Sequence, residues 1–547
     1  MSTAAGGGEA NTAAGGGDQL VLTIDLGTSG PKVALFTVEG RFVDGEFSPV
    51  DLVLFPNGGV EQRPSEWWSG VVSGCARLWE RVPADDVAGI VAVSVTSQWS
   101  GTVPVDAAGD SLHDAVIWMD ARGAEVTRRV VGGPVRVAGY DPRKLRRWIS
   151  LTGGAPSQSG KDPISHILWI ADALPDVARA TALYLEPKDY LNLRLTGRAV
   201  ATFDSITLHW LTDNRDPSRI DYVPELLELA GVDRSQLPDL IAATDVVGPL
   251  LVEVAVELGL PAGIPVVGGT PDVQSATIGS GAVRDFEGHL YVGTSSWLTC
   301  HVPKKKTDIL RGVAALPSPL PGKYFVADEQ ETAGACLNWL RDRVLWPDDS
   351  LGSGPAPTDA FARMDALAAQ SPPGANGVMF TPWLNGERTP VDDNTIRGGW
   401  HHLSLDTDRA DLVRAVFEGV ALNGRWLLGA VEKFVGRPFP WLHFVGGGAS
   451  SALWCQIHAD VLDREIRQVA DPIRANARGA ALLAAVALGH VGVDDLAAKV
   501  EVAATYQPRP TNRAVYDMMF EAFTATYQKS KGIHRRLASR GRLISGG

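Results

Sequence analysis

The segment LVLTIDLGTSGPKVALFTVEGRFV, residues 20–43, decides the fold. Apolar and β-branched residues lead up to Asp25, and the chain then meets Gly27-Thr28-Ser29-Gly30. That order predicts a buried strand entering a tight turn. Apolar residues resume at Val33, so a return strand is expected, with Val38-Glu39-Gly40-Arg41 as the next hairpin turn. The stretch PSEWWSGVVSGCARLWERV, residues 64–82, has a helical pattern that starts at Pro64 and Ser65. AGIVAVSVTSQ, residues 88–98, reads as another strand. Strands alternating with helices predict an α/β protein.

Three further segments repeat the opening theme. Residues 264–283 (IPVVGGTPDVQSATIGSGAV) form a strand-and-turn group. Residues 289–302 (HLYVGTSSWLTCHV) give an apolar strand, a Gly-Thr-Ser turn and a return strand. Residues 441–463 (WLHFVGGGASSALWCQIHADVLD) read as a strand ending at Gly446-Gly447-Gly448, with a helix from Ser450 or Ser451. Leu453, Ile457 and Val461 recur every four residues along that helix. The chain therefore divides into two halves near residues 283–287, each opening with a strand and a Gly-Thr turn. Ahead of them, TAAGGG occurs twice within residues 1–18. Such a segment cannot bury enough apolar surface to offset its ordering entropy, so a disordered tail is expected there.

Composition narrows the function. A chain of 547 residues exceeds one comfortable core. Its net charge of -13 argues against a general nucleic-acid binder, which needs a basic face for phosphates. Cys75, Cys300, Cys336 and Cys455 are scattered, so neither a disulfide framework nor a zinc site is suggested, and a reducing cytoplasm fits. No apolar run is long enough to span a bilayer, and the N-terminus lacks the pattern of a secretory signal.

The motifs suit phosphoryl transfer, which needs backbone donors around phosphates, a magnesium ion, a positioned hydroxyl and usually a carboxylate base. Asp25 stands beside glycines that allow close approach of a phosphate, and its carboxylate suits magnesium held through water. A hairpin with a capping Asp is the plainer alternative. Gly293-Thr294-Ser295-Ser296 is a second such turn, and the pair suggests two phosphate hairpins facing each other across a cleft. The Gly446–Ser450 turn fits neither the P-loop nor the dinucleotide fingerprint, and either brings a helix N-terminus to a nucleotide or simply joins strand to helix. Asp272, in GGTPDVQSA, is placed for a general base, or else is a turn Asp bonding its own backbone. Trp118, Asp120 and Arg122 combine a ring, a carboxylate and a guanidinium, as sugar sites do, although a surface ion pair beside a core Trp has the same pattern. Gln98 and Trp99, in TSQWSG, end a strand that would line the same pocket, with a packing role for Trp99 as the equal alternative.

DLGTSGPK, WMDAR, GGTPD, YVGTSSW, FTPWLNGERTP, RAVFEGVALN and VGGGASSALWCQIHADVLDREI together resemble the FGGY carbohydrate kinases, in that family's order, from about residue 20 to about 490. The resemblance implies a two-lobed actin-like, hexokinase-type ATPase fold (ribonuclease H-like), with mixed sheets flanked by helices. Residues 19–284 would form the sugar-binding lobe with the first phosphate hairpin, and 285–547 the nucleotide-binding lobe. It implies ATP and magnesium as cofactors and a small sugar as acceptor. Asp25 would organise magnesium; Gly27, Thr28 and Lys32 would belong to the first phosphate hairpin. Asp272 would be the catalytic base, and Gly293 and Thr294 would face the γ-phosphate. Gly446, Gly447 and Ala449 would hold the nucleotide. Gln98, Trp99, Trp118, Asp120, Arg122 and Asp272 would line the sugar pocket. Glu387 and Arg388 would be architectural. Homodimers are frequent among members of the family.

Among the branches, the length and the DLGTSGPK start most resemble xylulokinases, so a ketopentose such as D-xylulose is expected. Xylulokinases carry Gln-Met-His-Gly where this chain has Gln98-Trp99-Ser100-Gly101, and Asp-Asn where it has Asp272-Val273. Both changes remove polar contacts, and a site built around particular hydroxyls discriminates strongly. Ribulose, another ketose, a polyol or an aldonate remain alternatives, as does a non-catalytic ATP-binding protein on the same scaffold.

Overall fold

The computed structural model describes residues 18–308, 312–352 and 354–544. The expected Gly/Ala-rich tail lies outside the described residues except for Asp18, which accepts a 2.6 Å hydrogen bond from Arg41 Nη2. The chain divides into two units. The first holds residues 1–279, 316–324 and 476–499; the second holds 280–315, 325–475 and 500–547. The division thus falls at 279/280 rather than at the expected 284/285. Residues 316–324 and 476–499, expected in the second lobe, return to the first unit, because their apolar faces pack there.

In the first unit a six-stranded sheet runs in the order Val246–Pro249, Pro265–Pro271, Ile90–Ser97, Leu20–Gly27, Gly30–Thr37, Phe42–Phe47. The three strands from Pro265–Pro271 to Leu20–Gly27 are mutually parallel, and the flanking pairs are antiparallel. Side chains of the opening strand alternate as a two-residue period demands. Leu20, Leu22, Ile24 and Leu26 enter one core with Trp67, Val71, Cys75 and Leu78 of the helix Pro64–Trp79. Val21 enters the opposite one with Ala477, Ala481 and Ala484 of the helix Ala475–Ala487. Small alanines let that helix approach closely, which is why residues 476–499 belong here. The helix Pro64–Trp79 starts with Pro at its first position, where no intrahelical N–H is lost.

The second unit repeats the pattern. Ser296–Val302, Gly288–Val292, Trp441–Val445, Glu465–Val469 and Val502–Tyr506 are neighbours in that order. Their pairings run antiparallel, parallel, parallel, antiparallel. The same sequence of pairings runs from Gly30–Thr37 to Val246–Pro249 in the first unit. Gly293-Thr294 is therefore the topological counterpart of Gly27-Thr28. The buried helix Arg409–Val435 starts at a capping box of Asp408 with Asp411 and stops at Gly436, whose φ is 82°. Glu387 accepts from Asn423 Nδ2 on this helix (2.6 Å) and from the Glu331 amide (3.0 Å), and Arg388 Nε donates to Glu331 at 2.6 Å. These contacts tie loops together within the unit.

Candidate active site

In the first unit the named residues gather at the carboxyl ends of the three parallel strands, where open α/β sheets bind ligands. Asp25, Thr96 and Thr270 stand opposite one another on adjacent strands. Asp272 comes two residues after Thr270, at the end of the strand that lies two places from that of Asp25. Asp25 is only 3% exposed. Its Oδ2 accepts from Lys32 Nζ at 3.0 Å, the pair being directly cross-strand. Among the described residues its buried Oδ1 has no protein partner, and neither has Thr96 Oγ1. An orphaned carboxylate oxygen beside a solvent-reaching lysine fits a site for hydrated magnesium.

The first hairpin closes with Gly27 opposite Gly30, leaving Thr28-Ser29 as its tip. Gly30 has a φ of +133°, and a Cβ there would lie 2.0 Å from the Ser48 carbonyl oxygen. Gly30→Ala is therefore expected to destabilise the protein by about 3 kcal/mol. Urea unfolding measures this, and an unchanged midpoint would remove the claim that the close contact with Ser48 fixes the turn. Thr28 is held firmly. Its carbonyl accepts from Gln62 Nε2 (2.7 Å), and its hydroxyl accepts from Trp118 Nε1 (3.0 Å) and donates to Gln98 Oε1 (3.3 Å). Gln98 Nε2 in turn donates to Gln62 Oε1 at 2.7 Å, which also accepts from Trp67 Nε1 at 3.2 Å. The hairpin predicted to hold phosphate and the predicted sugar loop thus share one buried amide, Gln62. Sequence reasoning missed it, although it stands in a VEQRP stretch just ahead of the Pro64 helix.

Trp99 is 9% exposed and donates from Nε1 to the Ser205 carbonyl at 3.0 Å. The Gly101 amide donates to Glu186 at 2.9 Å, and burial pushes the Glu186 carboxyl well above the usual range. Asp120 is fully buried. Its carboxylate accepts from the amides of Val60 (2.8 Å) and Arg122 (2.9 Å) and from Arg122 Nε (2.8 Å). Arg122 also pairs with Glu61 at 2.5 Å, and its guanidinium lies 3.7 Å from the Trp169 ring centre. Asp120 thus positions Arg122, and the cation is stacked on an aromatic face.

Asp272 opens the helix Asp272–Gly279 rather than lying in a turn, and its Oδ1 accepts from the Val273 amide at 2.8 Å. It is half-buried, while Val273 beside it is 9% exposed. Ser275 Oγ donates to the Asn476 carbonyl at 2.7 Å, anchoring this helix to the returning segment.

The second unit carries its own glycine turns. The carbonyl of Gly293 accepts from the Gly334 amide (2.8 Å), and that of Thr294 from Ala333 (2.9 Å). Thr294 is exposed. Gly446 has a φ of +86°, and a Cβ there would meet the Val292 carbonyl oxygen at 2.6 Å. Gly447 is exposed, with open space where a Cβ would stand. Ala449, in contrast, is fully buried, and its carbonyl accepts from Gln468 Nε2 at 2.7 Å. Ser451 caps the helix Ala452–Leu462 through the Trp454 amide. Among the described residues no group of His, Cys, Asp and Glu is arranged to hold a metal by itself, and no helix is long and apolar enough to cross a membrane.

Residues 20–279 match the model of the FGGY family of carbohydrate kinases, N-terminal domain, and residues 289–488 match that of its C-terminal domain. The xylulose kinase of Staphylococcus epidermidis is 27% identical, over 94% of this chain and 97% of its own. The gluconokinase of Bacillus subtilis is 24% identical, over 90% and 91% respectively. The crystal structure of xylulose kinase from Rhodospirillum rubrum superposes with a TM-score of 0.79 at 27% identity, covering 94% of this chain and all of that one.

Proposed function

The chain belongs to the FGGY family of carbohydrate kinases, enzymes that phosphorylate sugars on a two-domain actin-like ATPase fold, and from that premise we propose that it transfers the γ-phosphoryl group of ATP to a hydroxyl of a ketopentose such as D-xylulose, with Asp272 as general base. The observation that carries this reading is the presence of two carboxylates at the ends of parallel strands that flank the same central strand, Ile90–Ser97. Asp25 keeps one buried oxygen without a protein partner among the described residues, and Asp272 stands half-buried at the end of the strand two places away. One acid is thus placed to organise a metal and the other to act as a base at the same end of the sheet.

Asp272 takes the proton of the acceptor hydroxyl as the new O–P bond forms and the bond to ADP breaks. Lys32 and the backbone of Gly27 and Thr28 hold phosphate oxygens. Magnesium, held by Asp25 through water, would neutralise phosphate charge. Thr294 and Gly447 offer exposed backbone to the nucleotide, while Gly293, Gly446 and Ala449 shape the turns beneath it. Gln98, Trp99, Trp118 and Arg122, the last fixed by Asp120, bind the sugar.

The relatives carry both xylulose and gluconate kinase names, so an aldonate acceptor is the second reading. Val273, which stands where xylulokinases carry Asn, removes a polar contact beside the base and so leaves room for a change of acceptor. ADP release with Mg-ATP across ketopentoses, ketohexoses, aldonates and polyols separates the two. The expected result is the highest kcat/KM for D-xylulose. A clear preference for gluconate would replace the ketopentose reading, and silence across the panel would remove both.

A further inference from the structure

The strand that delivers Asp272 is not regular. Its pairing with Ile90–Ser97 passes from Val267 opposite Ser94 to Thr270 opposite Thr96, so Gly268 and Gly269 together oppose the single residue Val95. Gly269 has a φ of +72°, and a Cβ there would lie 2.0 Å from the Val95 carbonyl oxygen. This is a β-bulge, a device that re-aims the side chains that follow it.

Buried side chains from the helix Pro187–Thr196 and the loop after Val200–Thr202 grip this bulge. The Gly268 carbonyl accepts from Lys188 Nζ at 3.0 Å and from Asn192 Nδ2 at 2.8 Å. Thr270 Oγ1 donates to Asp204 Oδ2 at 2.5 Å. Lys188, Asp189 and Asp204 are each at most 1% exposed, and Lys188 Nζ is also paired with Asp189 Oδ1. The other oxygen of Asp189 accepts from Ser205 Oγ at 2.9 Å, and the carbonyl of Ser205 receives the indole N–H of Trp99. A continuous set of hydrogen bonds therefore runs from Trp99 through Ser205, Asp189 and Lys188 to the bulge before Asp272. A fully buried lysine is expensive to desolvate and persists only where its partners are fixed.

We propose that Lys188, Asp204 and Thr270 are positioning residues for the base: they set the bulge, and hence the aim of Asp272, and tie that aim to the indole of Trp99 in the sugar loop. None of them touches a reacting atom. The proposal rests on the reading of Asp272 as base.

The test uses Thr270→Val, which keeps the shape but removes the donor to Asp204, and Thr270→Ser, which restores it. Lys188→Met alone leaves buried acids without their cation and is at risk of not folding, so the threonine carries the test. Thr270→Val is expected to lower kcat by roughly 10- to 100-fold, as small misplacements of reacting groups do. The KM for ATP should stay within about twofold. Thr270→Ser should recover most of kcat, and amide exchange of the peptide covering residues 265–272 should quicken in the valine variant alone. A folded Thr270→Val enzyme with wild-type kcat, or a serine variant as slow as the valine one, would overturn the proposal. Asp272→Asn, run in parallel, separates the two failures. If it is inactive while Thr270→Val is normal, the positioning role falls and the base stands. If it turns over normally, the assignment of the base falls, whatever the threonine variants do.

Discussion

Asp272→Asn is expected to lower kcat by roughly 100- to 10,000-fold, the range that a positioned general base contributes. The substitution keeps the side-chain shape, and the amide oxygen of Asn still accepts from the Val273 N–H at the start of the helix Asp272–Gly279. Folding and nucleotide affinity should therefore change little. Steady-state kinetics with the preferred sugar, together with ATP binding by calorimetry, separates the two effects. Turnover close to wild type in a pure sample would remove Asp272 as base. A matching loss of ATP affinity would assign it to the nucleotide instead.

Asp25→Asn is expected to reduce kcat/KM by roughly 100-fold or more, the scale for removing one group that stabilises developing charge. Its effect on stability should have the opposite sign or none. Asp25 is buried and leaves Oδ1 without a protein partner, an arrangement that destabilises the fold by about 1–3 kcal/mol. Its cation among the described residues, Lys32, has 46% of its side chain exposed, so the pair returns little. The variant should unfold at the same or a higher denaturant concentration while requiring more magnesium for half-maximal rate. Loss of activity accompanied by an equal loss of stability would mean that Asp25 is structural. Unchanged activity would remove it from the site.

The placement of both carboxylates at strand ends was legible in the sequence because those signals are local. Asp25 follows an apolar run and precedes glycines, and Asp272 follows an apolar run and the glycines Gly268-Gly269. A strand followed by a turn needs only neighbours to specify it, and the repeated Gly-Thr turn disclosed the duplicated sheet pattern. The long-range pairings were not legible. Lys188 in LEPKDYLNLRLTG meets Gly268 only when a helix packs on a distant strand, and nothing in either segment names the other. The bulge likewise needs the Ile90–Ser97 strand as its reference. Residues 476–499 read as a continuation of the second half, and only the fit of Ala477, Ala481 and Ala484 against Val21 and Phe36 draws them into the first unit. Asp120 and Arg122 were recognised as a pair. Glu61, the Val60 amide and Trp169, which complete their environment, come from separate segments. Ala449 was grouped with the open glycines because it lies in their turn, whereas its side chain points into the packed interior.

Phosphoryl transfer from ATP to a sugar is the central claim, and identification of the product tests it most directly. The purified protein is incubated with Mg-ATP and D-xylulose, and the products are read by mass spectrometry alongside ADP. The account predicts a pentose monophosphate formed in equal amount to ADP, and neither product from Asp272→Asn. ADP accompanied only by free inorganic phosphate, for D-xylulose and for every other sugar, aldonate and polyol tried, would contradict it.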